Sequence, residues 1–257
     1  MRIDWSQKVV LVTGASSGIG EALAVELGRR GASLGLLARR VEALERIAAG
    51  VEEAGGRSLV LAADVKDAAA VRAAADKLRE RFGRIDVLVA NAGIGTTTDG
   101  ARLQASEFAD VINVNVIGAA NSVAAVLPEM VARRSGQLVA ISSLAAYRGL
   151  VKSGAYCASK AAVSAFFESL RLDLRSTGVD VTIIHPGFIK TALTEGRHAQ
   201  MPFLMELDSA VQKIVHAIEA RRKSYAFPWQ LASIVRVCML MPNSLYDRIA
   251  VRNSFRE

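Results

Sequence analysis

The sequence predicts an α/β chain, a single-domain doubly wound parallel sheet of about seven strands with helices on both faces. Three observations predict it. Short β-branched runs alternate with longer stretches of helical period up to residue 190, and such alternation implies parallel strands joined by right-handed crossovers. The runs are nearly continuous in apolar residues, as strands covered on both faces must be. No Pro/Ser-rich linker and no internal repeat divides the 257 residues.

The strands are expected at Val9–Thr13, Ser33–Ala38, Ser58–Ala62, Val87–Ala90, Gln137–Ile141 and Val179–His185, with Ser224–Phe227 the candidate seventh. Thr13–Gly20 reads as a turn opening a helix over Gly18–Arg30. Residues 1–228 are read as the body of the domain, in which 191–207 breaks the rhythm and is expected to form a lid. Residues 229–257 form a basic, apolar helical extension of the same domain, with the run Ile234–Met241 containing Arg236.

Composition narrows the function. An apolar share of 51% excludes a disordered chain, and two cysteines exclude a disulfide scaffold. Cys157 and Cys238 read as buried or half-buried thiols of a reducing compartment. No run of 18 apolar residues predicts a transmembrane helix, and the N-terminus lacks a secretory pattern, so a cytoplasmic protein is expected. His185, His198 and His216 have no metal-ligand spacing with Cys or carboxylates, so no metal is expected. The net charge of +7 permits nucleic acid, an anionic membrane or a phosphorylated ligand. Nothing resembles a recognition helix or an aromatic-interleaved basic strand, so no nucleic-acid partner is expected.

The turn after the first strand, Gly14, Ala15, Ser16, Ser17, Gly18, Ile19, Gly20, has the spacing GxxxGxG. Glycines there let backbone N–H groups approach a pyrophosphate, and the helix N-terminus adds partial positive charge. Tight packing alone would also place glycines there, and the position in the first βαβ unit favours the cofactor. Tyr156 and Lys160 are four apart and so share one helix face. A nearby ammonium favours a phenolate, although by spacing alone a helix with an exposed Tyr and Lys is the better reading. Ser143 closes a strand, at the carboxyl edge where open α/β sheets bind ligands.

Taken together, TGASSGIG (Thr13–Gly20), Asp64-Val65, ANAG (Ala90–Gly93), NVIG (Asn115–Gly118), ISS (Ile141–Ser143), YCASK (Tyr156–Lys160) and HPGFIKT (His185–Thr191) resemble the short-chain dehydrogenase/reductase family in its short single-domain branch. The resemblance runs from about Lys8 to about Thr191 and implies a Rossmann-type fold and NAD(P)-dependent oxidoreduction. It implies that Ser143 hydrogen-bonds the substrate oxygen, Tyr156 exchanges the proton, and Lys160 tunes Tyr156 and binds the nicotinamide ribose. Asn115 joins a proton relay. The thirteen-residue offset to Tyr156 favours Ser143 over Ser142, and the NVIG register favours Asn115 over Asn113. The cofactor residues carried over are Gly14, Ser16, Ser17, Gly18, Ile19 and Gly20 around the pyrophosphate, and Asp64 and Val65 at the adenine. Asn91, Ala92 and Gly93 lie against the cofactor, with Asn91 also able to brace the sheet. Pro186, Gly187, Ile189 and Thr191 line the nicotinamide side, Thr191 near the pyrophosphate.

In family register Ala38 stands where NAD enzymes carry an acid, and Arg39 follows. Arg39 can pair with a 2′-phosphate, so NADP is favoured over NAD. Arg40 either assists or is solvated, and Ser17 occupies the other common basic position. Around the pocket, Ile94, Leu144, Tyr147, Leu150, Met201, Phe203, Leu204 and Met205 point to a hydrophobic or lipid-like carbonyl or alcohol substrate. Arg148 and Lys152 keep an acidic substrate open. The extension is basic, residues 221–257 carrying +5. It either covers the pocket or an oligomer interface, or lies on a membrane surface. The resemblance implies a homodimer or homotetramer. Two other functions stand beside the oxidoreductase. An epimerase or dehydratase shares the fold but usually needs a further substrate domain. A non-enzymatic dinucleotide-sensing scaffold is disfavoured by the intact Asn115, Ser143, Tyr156 and Lys160.

Overall fold

The computed structural model describes residues 3–194 and 201–252. Strands β1 (Val9–Thr13), β2 (Ser33–Ala38), β3 (Arg57–Ala62), β4 (Val87–Ala90), β5 (Gly136–Ile141), β6 (Val179–Pro186) and β7 (Ser224–Phe227) form one parallel sheet in the order β3-β2-β1-β4-β5-β6-β7. The order reverses between β1 and β4, which opens a crevice at their carboxyl ends.

The apolar runs explain the layering. Successive residues of a strand face opposite sides, and β1 is buried throughout. Val10 and Val12 join a core with α1 (Gly18–Arg29), α2 (Val41–Glu53) and α7 (Leu207–Glu219). Val9 and Leu11 join the opposite core with α3 (Ala68–Phe82), α5 (Gly118–Ala132) and α6 (Gly154–Asp173). Only the edge strands β3 and β7 carry exposed residues.

Strand positions match the sequence pattern, and the ends differ by single residues for local reasons. Arg57 is drawn into β3 opposite Ser33, and Pro186 into β6 opposite Phe227. Helix α1 stops at Arg29 because Arg30 leaves helical geometry as its C-cap.

One helix departs from the sequence expectation. Helix α4 (Ala105–Ile112), a π-helical turn at Asn113–Ile117 and α5 run on as one 28-residue helix, within which an 18-residue window has mean hydropathy 1.5. By length and composition it is long enough to cross a bilayer, although Asn113, Asn115, Asn121 and Ser122 break its apolar run. Here it packs against α3, α6, β4 and β5.

After β7 the chain forms α8 (Trp229–Leu240) and α9 (Asn243–Arg252). Leu231 and Ala232 of α8 pack with Leu144 from the loop after β5. The excess positive charge of this region is divided. Arg221 pairs with Asp180, and Arg222 lies 4.6 Å from the Tyr225 ring centroid, both at the β6–β7 corner and away from the two helices.

Candidate active site

A cavity of about 1360 Å³ opens at the carboxyl ends of the strands. Its lining brings together Gly14, Ser16, Ser17, Gly18, Ile19, Arg39, Asp64, Val65, Asn91, Ala92, Gly93, Ser143, Tyr156, Lys160, Pro186, Gly187, Ile189 and Thr191. Two expected residues, Gly20 and Asn115, stand behind that lining rather than on it.

The turn after β1 is shaped by its glycines. Gly14 has φ +65°, and a Cβ there would lie 2.7 Å from Ala92 Cα. A Cβ on Gly20 would lie 2.4 Å from the Gly14 oxygen, which explains its place behind the wall. Ser17 begins α1 without a side-chain cap, so the orphan N–H groups of the first turn remain available to an anion. Asn91 Nδ2 donates to the Thr13 and Gly14 oxygens at 3.0 and 3.2 Å, bracing the turn against β4. Thr191 comes to the other side of the turn, its Cγ2 3.5 Å from where a Gly18 Cβ would stand. An open backbone cradle, an uncapped helix start and flanking cations fit a dinucleotide diphosphate.

The adenosine end is marked by charge. Arg39 is largely exposed, 3.9 Å from Asp64. Asp64 Oδ1 is already bonded by the Lys66 N–H. Arg40 is not simply solvated. Its Nη2 donates to Ser16 O and Oγ at 3.0 and 3.1 Å, which brings a second guanidinium over the turn. Arg40 thus brings a basic side chain to Ser16, the residue before Ser17, a contact the sequence could not show.

The chemical end is built from β5, α6 and the π turn. Lys160 is buried, with Nζ donating to Ile141 O at 2.8 Å and lying 5.7 Å from the Tyr156 ring centroid. Burial pushes its ammonium down to about 8. Ser143 Oγ accepts the Ala145 N–H at 3.1 Å, and the residue lines the cavity. Ser142 is buried, its Oγ donating to Lys160 O and 2.7 Å from Ser164 Oγ. Both serines line the cavity, and their hydroxyls differ in partner, Ser142 Oγ being engaged by Lys160 and Ser164.

Asn115 is likewise separated from the exposed Asn113. Its Oδ1 accepts the Ile94 N–H at 2.8 Å, and its Nδ2 donates to Ile94 O and Ser159 Oγ, both at 2.9 Å. A Cβ on Gly93 would lie 3.3 Å from both Asn115 Oδ1 and Lys160 Nζ. The side chain thus anchors the segment after β4 beside Lys160. The π turn, where the Gly118 N–H reaches Asn113 O, went unread in the sequence. Such turns recur at functional sites.

His185 is packed, as its place before Pro186 implies. It lies 5.0 Å from the Tyr147 ring, and burial, helped by Arg236, pushes it down to about 4. Among the described residues no cluster of His, Cys, Asp or Glu could hold a metal. His198 lies outside the described residues.

The substrate side departs further from expectation. Ile94, Leu144, Leu150 and Met201 line the cavity. Phe203 and Leu204 are exposed, Met205 packs into the α1–α2–α7 core, and Tyr147 stacks on His185. A bridge between Ile189 and Met205 turns the end of 191–207 back onto the segment that follows β6. The missing wall comes from α8 and α9, through Leu231, Ile234, Val235 and Tyr246 among others. The apolar run Ile234–Met241 was the available signal. Arg148 also lines the cavity, its guanidinium bound to this same helical pair.

Known proteins share these features. The short chain dehydrogenase family model matches residues 8–202. An uncharacterized oxidoreductase of Myxococcus xanthus is 44% identical over 249 residues, covering 97% of this chain and 98% of its own. The alcohol dehydrogenase of the archaeon Thermococcus sibiricus, solved with 5-hydroxy-NADP, superposes with a TM-score of 0.78 at 29% identity, covering 86% of this chain and 95% of its own. An NAD+-bound xylitol dehydrogenase superposes with a TM-score of 0.80 at 28% identity, covering 88% and 98%. With its family match, seven-stranded sheet and diphosphate cradle, the chain belongs to the short-chain dehydrogenase/reductase family, whose chemistry is NAD(P)-dependent oxidoreduction.

Proposed function

We propose that this chain is an NADP-dependent reductase and dehydrogenase acting on apolar carbonyls and the corresponding secondary alcohols. The observation that carries the reading is the buried Lys160 ammonium beside Tyr156, facing a cavity whose other end is the glycine cradle.

When bound, the nicotinamide supplies the hydride in reduction and accepts it in oxidation. Gly14 to Ile19 hold the diphosphate, Asp64 and Val65 receive the adenine, and Arg39 with Arg40 attracts the 2′-phosphate. Lys160 holds the nicotinamide ribose, and Pro186, Gly187, Ile189 and Thr191 close that side. In reduction Tyr156 gives its hydroxyl proton to the carbonyl oxygen, which Ser143 holds by a hydrogen bond. The Lys160 ammonium favours the phenolate left behind. Asn115 keeps Lys160 and the Ile94 segment in register, so that the proton returns to Tyr156 through a relay toward solvent. Oxidation runs the same steps backward.

Two guanidiniums and no acid at the end of β2 support NADP, since an acidic residue there would repel the 2′-phosphate. Titration of NADPH and NADH into wild type and Arg39→Asp tests this, with a ketone as substrate. Wild type should prefer NADPH, and the variant should lose about tenfold or more of that preference. An unchanged preference would overturn the cofactor assignment. Tyr156→Phe should lower turnover by about 10²–10⁴-fold with dinucleotide binding intact.

A further inference from the structure

We propose that Arg148 fastens α8 and α9 as the substrate-side wall of the cavity and so sets how long an apolar substrate the site accepts. The inference rests on the reductase reading for its substrate and on geometry alone for the latch.

Arg148 lies five residues beyond Ser143, in the loop that leaves β5. Its Nη1 donates to Cys238 O and, at 3.0 Å, to Met241 O. Its Nη2 donates to Asn243 Oδ1 at 2.8 Å. The guanidinium carbon lies 3.9 Å from the Tyr246 ring centroid, and the Tyr246 hydroxyl donates back to Gly149 O. Carbonyls at a helix C-terminus need donors from outside and carry partial negative charge. Arg148 supplies both donor and charge at the corner between the two helices. Its planar fork reaches two carbonyls, an amide and a ring at once, which a lysine ammonium cannot do.

Burial at this corner is sparse among the described residues. Leu231 and Ala232, at the start of α8, are buried, but no described residue from 233 to 252 is. The inner side of the pair nonetheless faces the cavity through Ile234, Val235, Cys238, Tyr246 and Ile249. An apolar wall anchored by hydrophobic packing at one end only depends on its polar latch at the other. Because the latch springs from the Ser143 loop, the wall is held in register with the reacting end of the cavity. Arg148 is therefore a positioning residue, which touches the wall and leaves the chemistry to others.

The test uses the full chain with NADPH and two ketones, cyclohexanone and 2-decanone, on wild type, Arg148→Ala, Arg148→Lys and Asn243→Ala. Arg148→Ala should raise the KM for 2-decanone about tenfold relative to that for cyclohexanone, with kcat falling less than KM rises. NADPH affinity, followed by fluorescence titration, should be unchanged. Arg148→Lys should fail to restore the wild-type ratio, and Asn243→Ala should shift it about threefold in the same direction. Equal changes in both KM values, or none, would overturn the proposal. If Arg148→Ala no longer binds NADPH, Asn243→Ala decides, and an unshifted ratio there counts against the latch. Hydrogen exchange across residues 229–252 reads the latch without substrate and separates its failure from failure of the reductase reading. Arg148→Ala should speed exchange there about tenfold or more, and unchanged exchange overturns the proposal whatever the ketones show.

Discussion

Replacing Lys160 by methionine should stabilise the protein near neutral pH while removing its activity. The lysine is 6% exposed, and no carboxylate pairs with it among the described residues. Burial lowers it to about 8, well below the ordinary lysine value. In the window between those values the unfolded chain binds more protons than the folded one, so stability rises with pH across it. Below the folded value the whole cost is present, about 3 kcal/mol from the size of the shift. Methionine keeps the stem's volume and removes the charge, but it leaves Ile141 O without its donor, which costs about 1–2 kcal/mol. The net gain near pH 7 is about 1–2 kcal/mol, a melting temperature higher by about 3–6 °C in a chain of this size. Near pH 10 the lysine penalty falls below about 1 kcal/mol, so the gain should vanish or reverse. Thermal unfolding of cofactor-free wild type and variant at both pH values measures this. A variant less stable than wild type by the same margin at both would refute the reasoning. Natural sites keep such costs when function requires them.

Other consequences follow from single contacts. Gly20→Ala forces a methyl group toward the Gly14 oxygen, where neither backbone can yield. It should cost about 1–3 kcal/mol in urea unfolding and weaken NADPH binding about tenfold or more by fluorescence titration. His185, held down to about 4 by burial and Arg236, binds its proton more weakly folded than unfolded. Wild-type stability should therefore fall as pH drops from the ordinary histidine range through about 4, and that slope should flatten in His185→Phe. Urea midpoints across the window measure both, and parallel slopes would remove His185 as the cause.

Strands β1, β2 and β4 were legible because each is a short apolar run buried on both faces, a pattern that leaves no choice of layer. The glycine turn after β1 was legible because backbone crowding at Gly14 and Gly20 admits no side chain. Elsewhere the deciding partner lies far along the chain. Arg40 reaches Ser16 across twenty-four residues, and Arg148 reaches Asn243 across ninety-five. Exposed and engaged arginines look alike in a sequence. The π turn around Asn115 changes which backbone carbonyl accepts, and side-chain pattern does not record that. Met205 was illegible for a different reason: it is apolar enough to line a pocket and equally fit for the core it joins. The +5 of residues 221–257 blurred two places together, since Arg221 and Arg222 belong to the β6–β7 corner.

The central claim, hydride transfer to a carbonyl carbon with the proton from Tyr156, is tested most directly by isotope. NADPH carrying deuterium at the transferable nicotinamide position is incubated with wild type and a ketone that it reduces, and the alcohol is analysed by mass spectrometry. The account predicts one deuterium on the carbinol carbon, and loss of that labelled product in Tyr156→Phe. An unlabelled alcohol, or labelled product formed equally fast by Tyr156→Phe, would contradict it.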